Sequence, residues 1–283
     1  MRLTNLHTHT VYCDGKCKTE EMIQAAVKCN FQSVGISSHG PVPFVTDWNM
    51  QADNVEKYVE EVTSLKEKYR GVIDVFFGME LDYIPGTGFD SFSQSLISRL
   101  DYYIGSVHYL GKFTDGSMWT VDYSTEELVK GINENFQGNT RSAVETYYGL
   151  ISEMASRYHP PVIGHIDLIK KNNKNNLLFN EDESWYRDAA EKCLDTIKAA
   201  GSVVEINTGG MARGYTSEQY PSSFIVELSM EKNIPVTINS DAHTAEAIDC
   251  KLSEMYELIR SMGFERVSCL TGCGWATRNL NLL

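Results

Sequence analysis

The sequence predicts an α/β barrel of seven β/α units, and three observations lead to it. Short apolar runs alternate with amphipathic helical segments along the chain, the pattern of parallel strands joined by helical crossovers. Seven of those runs, near residues 6, 36, 77, 106, 163, 205 and 238, end in polar residues. Asp14, His39, Glu80, His108, His165, Asp241 and His243 all stand just after such runs, where loop-borne chemistry belongs. A barrel carries the C-terminal ends of its strands to one face, which is where barrel enzymes build their sites. An open doubly wound sheet would instead gather ligands at one crevice between two strands.

Taken in order, the first strand runs into Asn5-Leu6-His7-Thr8-His9-Thr10. Side chains alternate along a strand, so His7 and His9 face the same way and can hold one metal ion between them. Thr19 reads as the N-cap of a helix with an acidic first turn, Glu20 and Glu21, and an apolar face of Met22, Ile23, Ala26 and Val27. A β-rich run over 33–37 ends in Ser38-His39-Gly40-Pro41. Residues 51–69 carry Val55, Tyr58, Val59, Val62 and Leu65 at helical spacing until Gly71 stops the helix. A buried strand over 72–77 is followed by Gly78-Met79-Glu80-Leu81-Asp82, and another over 102–107 delivers His108.

Helices are expected over 125–135 and 140–158, the second broken by Pro160 and Pro161. Pro161-Val162-Ile163-Gly164-His165-Ile166-Asp167 again places a histidine after an apolar run, and 170–176 reads as a polar loop. A helix over 184–200 leads into Val203-Val204-Glu205-Ile206-Asn207 and then a glycine-rich loop carrying Arg213. A helix near 222–232 precedes the strand that ends in Asn239-Ser240-Asp241-Ala242-His243. One amphipathic helix over 245–262 and a terminal segment around 267–270 complete the reading.

Composition excludes several classes. The chain is 42% hydrophobic, yet no apolar run approaches the length of a bilayer span or a signal peptide, so a cytoplasmic protein without a membrane partner is expected. A net charge of −13 repels a phosphate backbone and argues against a nucleic-acid partner, while leaving room for a small anionic substrate. Seven cysteines, an odd number without regular spacing, fit reduced thiols better than a disulfide scaffold. Cys13-x-x-x-Cys17 and Cys269-x-x-x-Cys273 are too loosely spaced for a zinc knuckle when histidines supply a better site.

His7-Thr8-His9, His39-Gly40, Gly78-x-Glu80, the strand ends with His108 and His165, and Ser240-Asp241-Ala242-His243 resemble the polymerase and histidinol phosphatase (PHP) family. The resemblance covers nearly the whole chain and implies one barrel domain over 1–283. Within the family it is nearest to the monofunctional histidinol-phosphate phosphatases, through the chain length, Gly164-His165-Ile166-Asp167-Leu168 and the loop carrying Arg213. It implies a distorted (β/α)7 TIM-like barrel with up to three divalent metals. The implied activity is hydrolysis of L-histidinol phosphate to L-histidinol and inorganic phosphate, a step of histidine biosynthesis, with a PHP-type phosphodiesterase or exonuclease as the alternative.

Residue by residue, the family pattern assigns His7, His9 and Asp241 to one metal, with Glu80 bridging to a second that His108 and His165 complete. Asp14, His39 and His243 then hold the third. Many relatives have a histidine in the loop after the His-x-His, where this chain has Cys13-Asp14-Gly15. The mixed nitrogen and oxygen set suits zinc, manganese or iron.

Further roles are expected around this set. A guanidinium at Arg213 is shaped for bidentate phosphate binding. Lys170 and Lys171 read either as phosphate contacts or as a solvated face, and Phe44, Trp48 and Tyr215 as pocket walls for an aromatic ring. Asp167 is a candidate to orient His165, Asp82 to serve Glu80 or cap a backbone, and Asn207 and Asn239 to hold loops near the site. His159, ahead of two prolines, reads as structural. In the implied reaction the metals lower the pKa of water, the metals and Arg213 neutralise the phosphoryl oxygens, and His243, or else Asp241, protonates the departing alkoxide.

Overall fold

The computed structural model describes residues 3–282. The strands are β1 (Thr4–Asn5), β2 (Ser33–Ile36), β3 (Asp74–Asp82) and β4 (Tyr102–Ser106), followed by a hairpin of β5 (Tyr109–Lys112) and β6 (Met118–Thr120). After it come β7 (Val162–Ile163), β8 (Val203–Asn207) and β9 (Val236–Asn239). The seven strands other than the hairpin form one sheet in the order β1-β2-β3-β4-β7-β8-β9, and every pairing in it is parallel. Past the ends of β1 and β9, Thr8 bridges Ala242 and the His9 amide donates to the Ala242 carbonyl at 2.8 Å, which draws the sheet into a nearly closed barrel. The predicted seven-unit barrel is thus the observed one.

Helices α1 (Thr19–Lys28), α2 (Val55–Lys68), α3 (Ser91–Ile97), α4 (Thr125–Phe136), α5 (Thr140–Tyr158), α6 (Ser184–Ala200), α7 (Gly209–Ala212), α8 (Ser223–Glu231) and α9 (Leu252–Ser261) connect the strands. The apolar face of α1 buries Met22, Ile23 and Ala26. Its N-cap is Lys18 rather than Thr19, with the Glu21 carboxylate accepting from the Lys18 amide at 2.7 Å. In α5, His159 takes a left-handed cap conformation before the two prolines, which confirms it as structural. None of the described helices is long and apolar enough to cross a membrane.

Several boundaries differ from the sequence reading. Strand β3 does not stop at Phe77 but runs to Asp82, so Glu80 stands inside a strand whose residues after Asp74 are all buried. The segment over 170–176 is wound into two 3₁₀ turns, Leu168–Asn172 and Lys174–Asn176. The helix expected over 245–262 is split into a turn at Ala245–Ala247 and α9, because Lys251 adopts φ +61 between them. The terminal segment is a hairpin of β10 (Arg266–Thr271) and β11 (Gly274–Asn279). Leu270 of β10 packs with Leu6, Phe76, Tyr102, Ile104 and Val162 in the barrel interior, while β11 is largely exposed and gives no apolar alternation to read.

Candidate metal centre

All nine residues expected as ligands converge on one end of the barrel, in four overlapping groups of donor atoms. His7, His9 and Asp241 form one group, as expected. Glu80 joins His7 with His165 in a second and His39 with His108 in a third, and His9, Asp14, His39 and His243 form the fourth. His7, His9 and His39 are therefore each shared between two groups, a linkage the residue-by-residue assignment did not contain.

Glu80 is the hub. One of its oxygens, Oε2, lies 3.1 Å from His7 Nε2, 2.9 Å from His39 Nδ1 and 3.6 Å from His9 Nε2; the other, Oε1, lies 2.9 Å from His165 Nε2 and 3.7 Å from His108 Nε2. Ser106 Oγ donates to Oε1 at 2.6 Å. Asp241 Oδ1 stands 3.0 Å from His9 Nε2, and Asp14 Oδ2 stands 3.1 Å from His243 Nε2. His9 Nε2, His39 Nδ1, Asp14 Oδ1 and Asp241 Oδ1 are buried without a hydrogen-bond partner. Lone pairs buried and unpaired in this way are costly, and a coordinated cation removes that cost, so the donor set fits divalent metals.

The electrostatics follow from the crowding. Burial works against charging His7, but the carboxylates of Glu205, Glu80 and Asp241 outweigh it and hold its pKa well above the ordinary histidine range. His108 is likewise raised to about 10, burial being overcome by Asp82. His9 lies among other histidines, and burial with His243 and His39 lowers it to about 3. Burial would raise Glu80, yet His39 and His7 pull it well below the carboxylate range. In the metal-free protein His7 and His108 hold protons that must leave as metal binds. We expect metal affinity to rise with pH through neutrality, by about tenfold per pH unit for each proton displaced. Chelator competition at several pH values checks this; a pH-independent affinity would contradict it.

A layer of partners behind the ligands sets their orientation, and here the sequence reading needs its main corrections. His7 Nδ1 donates to Glu205 Oε1 at 2.6 Å, which turns Nε2 towards Glu80. Glu205 also accepts from Asn239 at 2.8 Å, Asn207 at 3.0 Å and the His165 amide at 3.1 Å, and the two asparagines hold site segments as expected, Asn207 Oδ1 accepting from the Gly209 amide at 2.8 Å and Asn239 Oδ1 from the Leu6 amide at 2.7 Å. Glu205 was not singled out from the sequence, although a lone carboxylate in the apolar run of β8 was a usable signal. Asp82 serves neither Glu80 nor a backbone cap: it accepts from His108 Nδ1 at 2.6 Å. Asp167 does not orient His165; it accepts from the Ser222 amide and pairs with Lys170. Glu205→Gln removes the charge behind His7 while keeping its shape, and is expected to weaken metal binding by about 10- to 100-fold. Competition with a chromophoric chelator measures this, and wild-type affinity would exclude the role.

Seven of the nine ligands, all but the fully buried His7 and His9, line a cavity of about 590 Å³. Arg213, directly after α7, donates from Nη2 to Asp241 Oδ2 at 3.0 Å and places Nη1 2.8 Å from His243 Nδ1. Gly209 leads into it so closely that a Cβ there would stand 2.6 Å from Asp241 Oδ2. Lys171 lines the same cavity and pairs with Asp122 at 3.0 Å, a carboxylate the sequence reading did not identify. Lys170 is not brought there: it is buried, with Nζ 3.1 Å from Asp167 and 2.8 Å from Glu218. Trp48 and Tyr215 line the cavity, whereas Phe44 lines an adjoining one. All seven cysteines are free thiols, and no described cysteine belongs to a donor group.

A parallel barrel with a cluster of histidine and carboxylate donors at its strand ends defines a metal-binding barrel protein. More narrowly, the chain belongs to the PHP domain family, whose model matches residues 5–209. It is 31% identical over 260 residues to the histidinol-phosphatase of Bacillus subtilis, covering 84% of this chain and 92% of that one. In structure it is similar to HisK of Listeria monocytogenes, with a TM-score of 0.78 at 24% identity, over 89% of this chain and 99% of that one. Histidinol phosphate phosphatase of Lactococcus lactis, solved with zinc, L-histidinol and phosphate, has a TM-score of 0.72 at 17% identity, covering 97% and 99%. These two likenesses establish the shared seven-stranded barrel.

Proposed function

We propose that this chain is a metal-dependent phosphoric monoester hydrolase that converts L-histidinol phosphate to L-histidinol and inorganic phosphate. The observation that carries the reading is the placement of Arg213. Its guanidinium is fixed to Asp241 and beside His243 at the rim of a four-group metal centre, in a chain that shares its family with histidinol-phosphatases. In this reading His7, His9, Glu80, His165 and Asp241 hold two divalent ions, and Asp14, His39 and His243 a third, with His108 on the Glu80 side. Zinc is favoured by its presence in the Lactococcus lactis relative, and manganese or iron would suit the same donors. When bound, the metals supply an activated water and neutralise charge on the phosphoryl oxygens.

The chain's own groups do the rest. Arg213, and Lys171 beside it, bind the phosphate dianion and stabilise charge as the ester P–O bond breaks and the water oxygen bonds to phosphorus. With the third ion absent, His243 Nε2, at the cavity rim near Asp14, gives its proton to the departing alkoxide; with that ion held by His243, Asp241 is the shuttle. Metal analysis followed by phosphate release from a panel of monoesters and diesters tests the assignment. Preference for L-histidinol phosphate over the other monoesters and over diesters is expected, and a preference for diesters would overturn it.

A further inference from the structure

We propose that Asp47, on an aromatic wall shared by two cavities, selects esters whose departing alcohol carries a positive charge; this rests on the monoesterase reading above. The catalytic cavity adjoins a second cavity, also of about 590 Å³, and the two have Asp47, Trp48, Thr120 and Tyr123 in common. Trp48 faces both sides. Its ring lies 4.6 Å from His39 and 5.2 Å from His108, and it stacks on Tyr109 at 5.5 Å and 21°, with Phe44 edge-on to Tyr109 at 5.0 Å.

That wall is tied in register to the metal centre. The Tyr109 hydroxyl donates to Asn49 Oδ1 at 3.0 Å, Asn49 Nδ2 donates to Asp82 Oδ2 at 2.9 Å, and Asp82 holds His108. The catalytic cavity is lined by Arg213, Lys171 and Lys16 together with the carboxylates of Asp14, Asp47, Glu80, Asp122 and Asp241, of which Asp14, Glu80 and Asp241 belong to the metal-donor groups and Arg213 contacts Asp241. The second cavity has the carboxylates of Asp47 and Glu127 against one cation, Lys112, among its described lining residues.

Of those carboxylates, Glu127 accepts from the Thr120 amide and hydroxyl, and Asp122 in the catalytic cavity pairs with Lys171. Asp47 makes no hydrogen bond or ion pair among the described residues. An ester with its phosphoryl group against Arg213 therefore extends its organic part along Trp48 towards an uncommitted carboxylate. Aromatic faces beside such a carboxylate suit an ammonium or imidazolium group.

The test compares wild type, D47N and D47K on L-histidinol phosphate and on p-nitrophenyl phosphate, whose alcohol carries no cation. The ratio of kcat/KM for the first substrate to that for the second should fall about fivefold in D47N and further in D47K, mainly through KM, with metal content at the wild-type level. Calorimetric titration with L-histidinol should show the same loss of affinity without reference to turnover. D122N, which releases Lys171, should instead depress both substrates together. An unchanged ratio in D47N and D47K, or unchanged L-histidinol affinity, overturns the role of Asp47. A wild type that hydrolyses neither monoester overturns the monoesterase reading, and the titration still decides Asp47.

Discussion

Glu80→Gln is expected to strip most of the bound metal and to lower kcat/KM on L-histidinol phosphate by about three orders of magnitude, at or above the range for losing one preorganised electrostatic group. The size follows from position. Two oxygens of one buried carboxylate lie within 3.1 Å of ring nitrogens of His7, His39 and His165, so Glu80 is the one carboxylate that joins two donor groups among the described residues. An amide keeps the volume but offers one neutral oxygen and turns an NH₂ towards lone pairs that a cation would share. In the metal-free protein it also removes a negative charge that raises the pKa of His7 and His39. Elemental analysis and phosphate release on the same preparation measure both effects. Full metal loading with near-normal turnover would sink the multinuclear reading.

Arg213→Ala is expected to cost about 2 to 4 kcal/mol of transition-state stabilisation on L-histidinol phosphate, with metal content retained. Metals activate water for monoesters and diesters alike, so discrimination falls to groups that meet the extra charge of a monoester dianion. The guanidinium is only partly exposed and is held by Asp241, and burial is outweighed by Asp241 and Asp14 in keeping its pKa raised. The loss should be much smaller on a diester, which leaves fewer phosphoryl oxygens free. Comparing kcat/KM of wild type and variant on the two substrates decides it. An equal loss on both would mean that Arg213 only braces the turn after α7 and Asp241.

The residues that carry chemistry were legible because each ligand ends or follows a short apolar run, and polar atoms in such places need a partner. His7 and His9 announce themselves by alternation, and Asp241 and His243 by the same spacing after β9. Glu205 was missed because it sits mid-strand rather than past a strand end, and its function depends on His7, 198 residues away in the chain. Asp122 lies in the connection between β6 and α4, where nothing local distinguishes it from a surface acid. Lys170 and Lys171 are adjacent in sequence and equivalent in composition. A 3₁₀ turn sends one to Asp167 and Glu218 inside the protein and the other to the cavity.

Sequence alone determined the alternation of strand and helix, the barrel that buries it, and the set of nine donors at one end, because these depend on hydrophobic periodicity and residue type. Tertiary structure alone decided which donors share a site, which carboxylate stands behind which histidine, and which of two neighbouring lysines faces the cavity. Those outcomes depend on the register of β1 against β9 and on the length of β3, which bring together groups far apart in the chain. No local pattern encodes such distances, since they are set by how all seven strands close on one another.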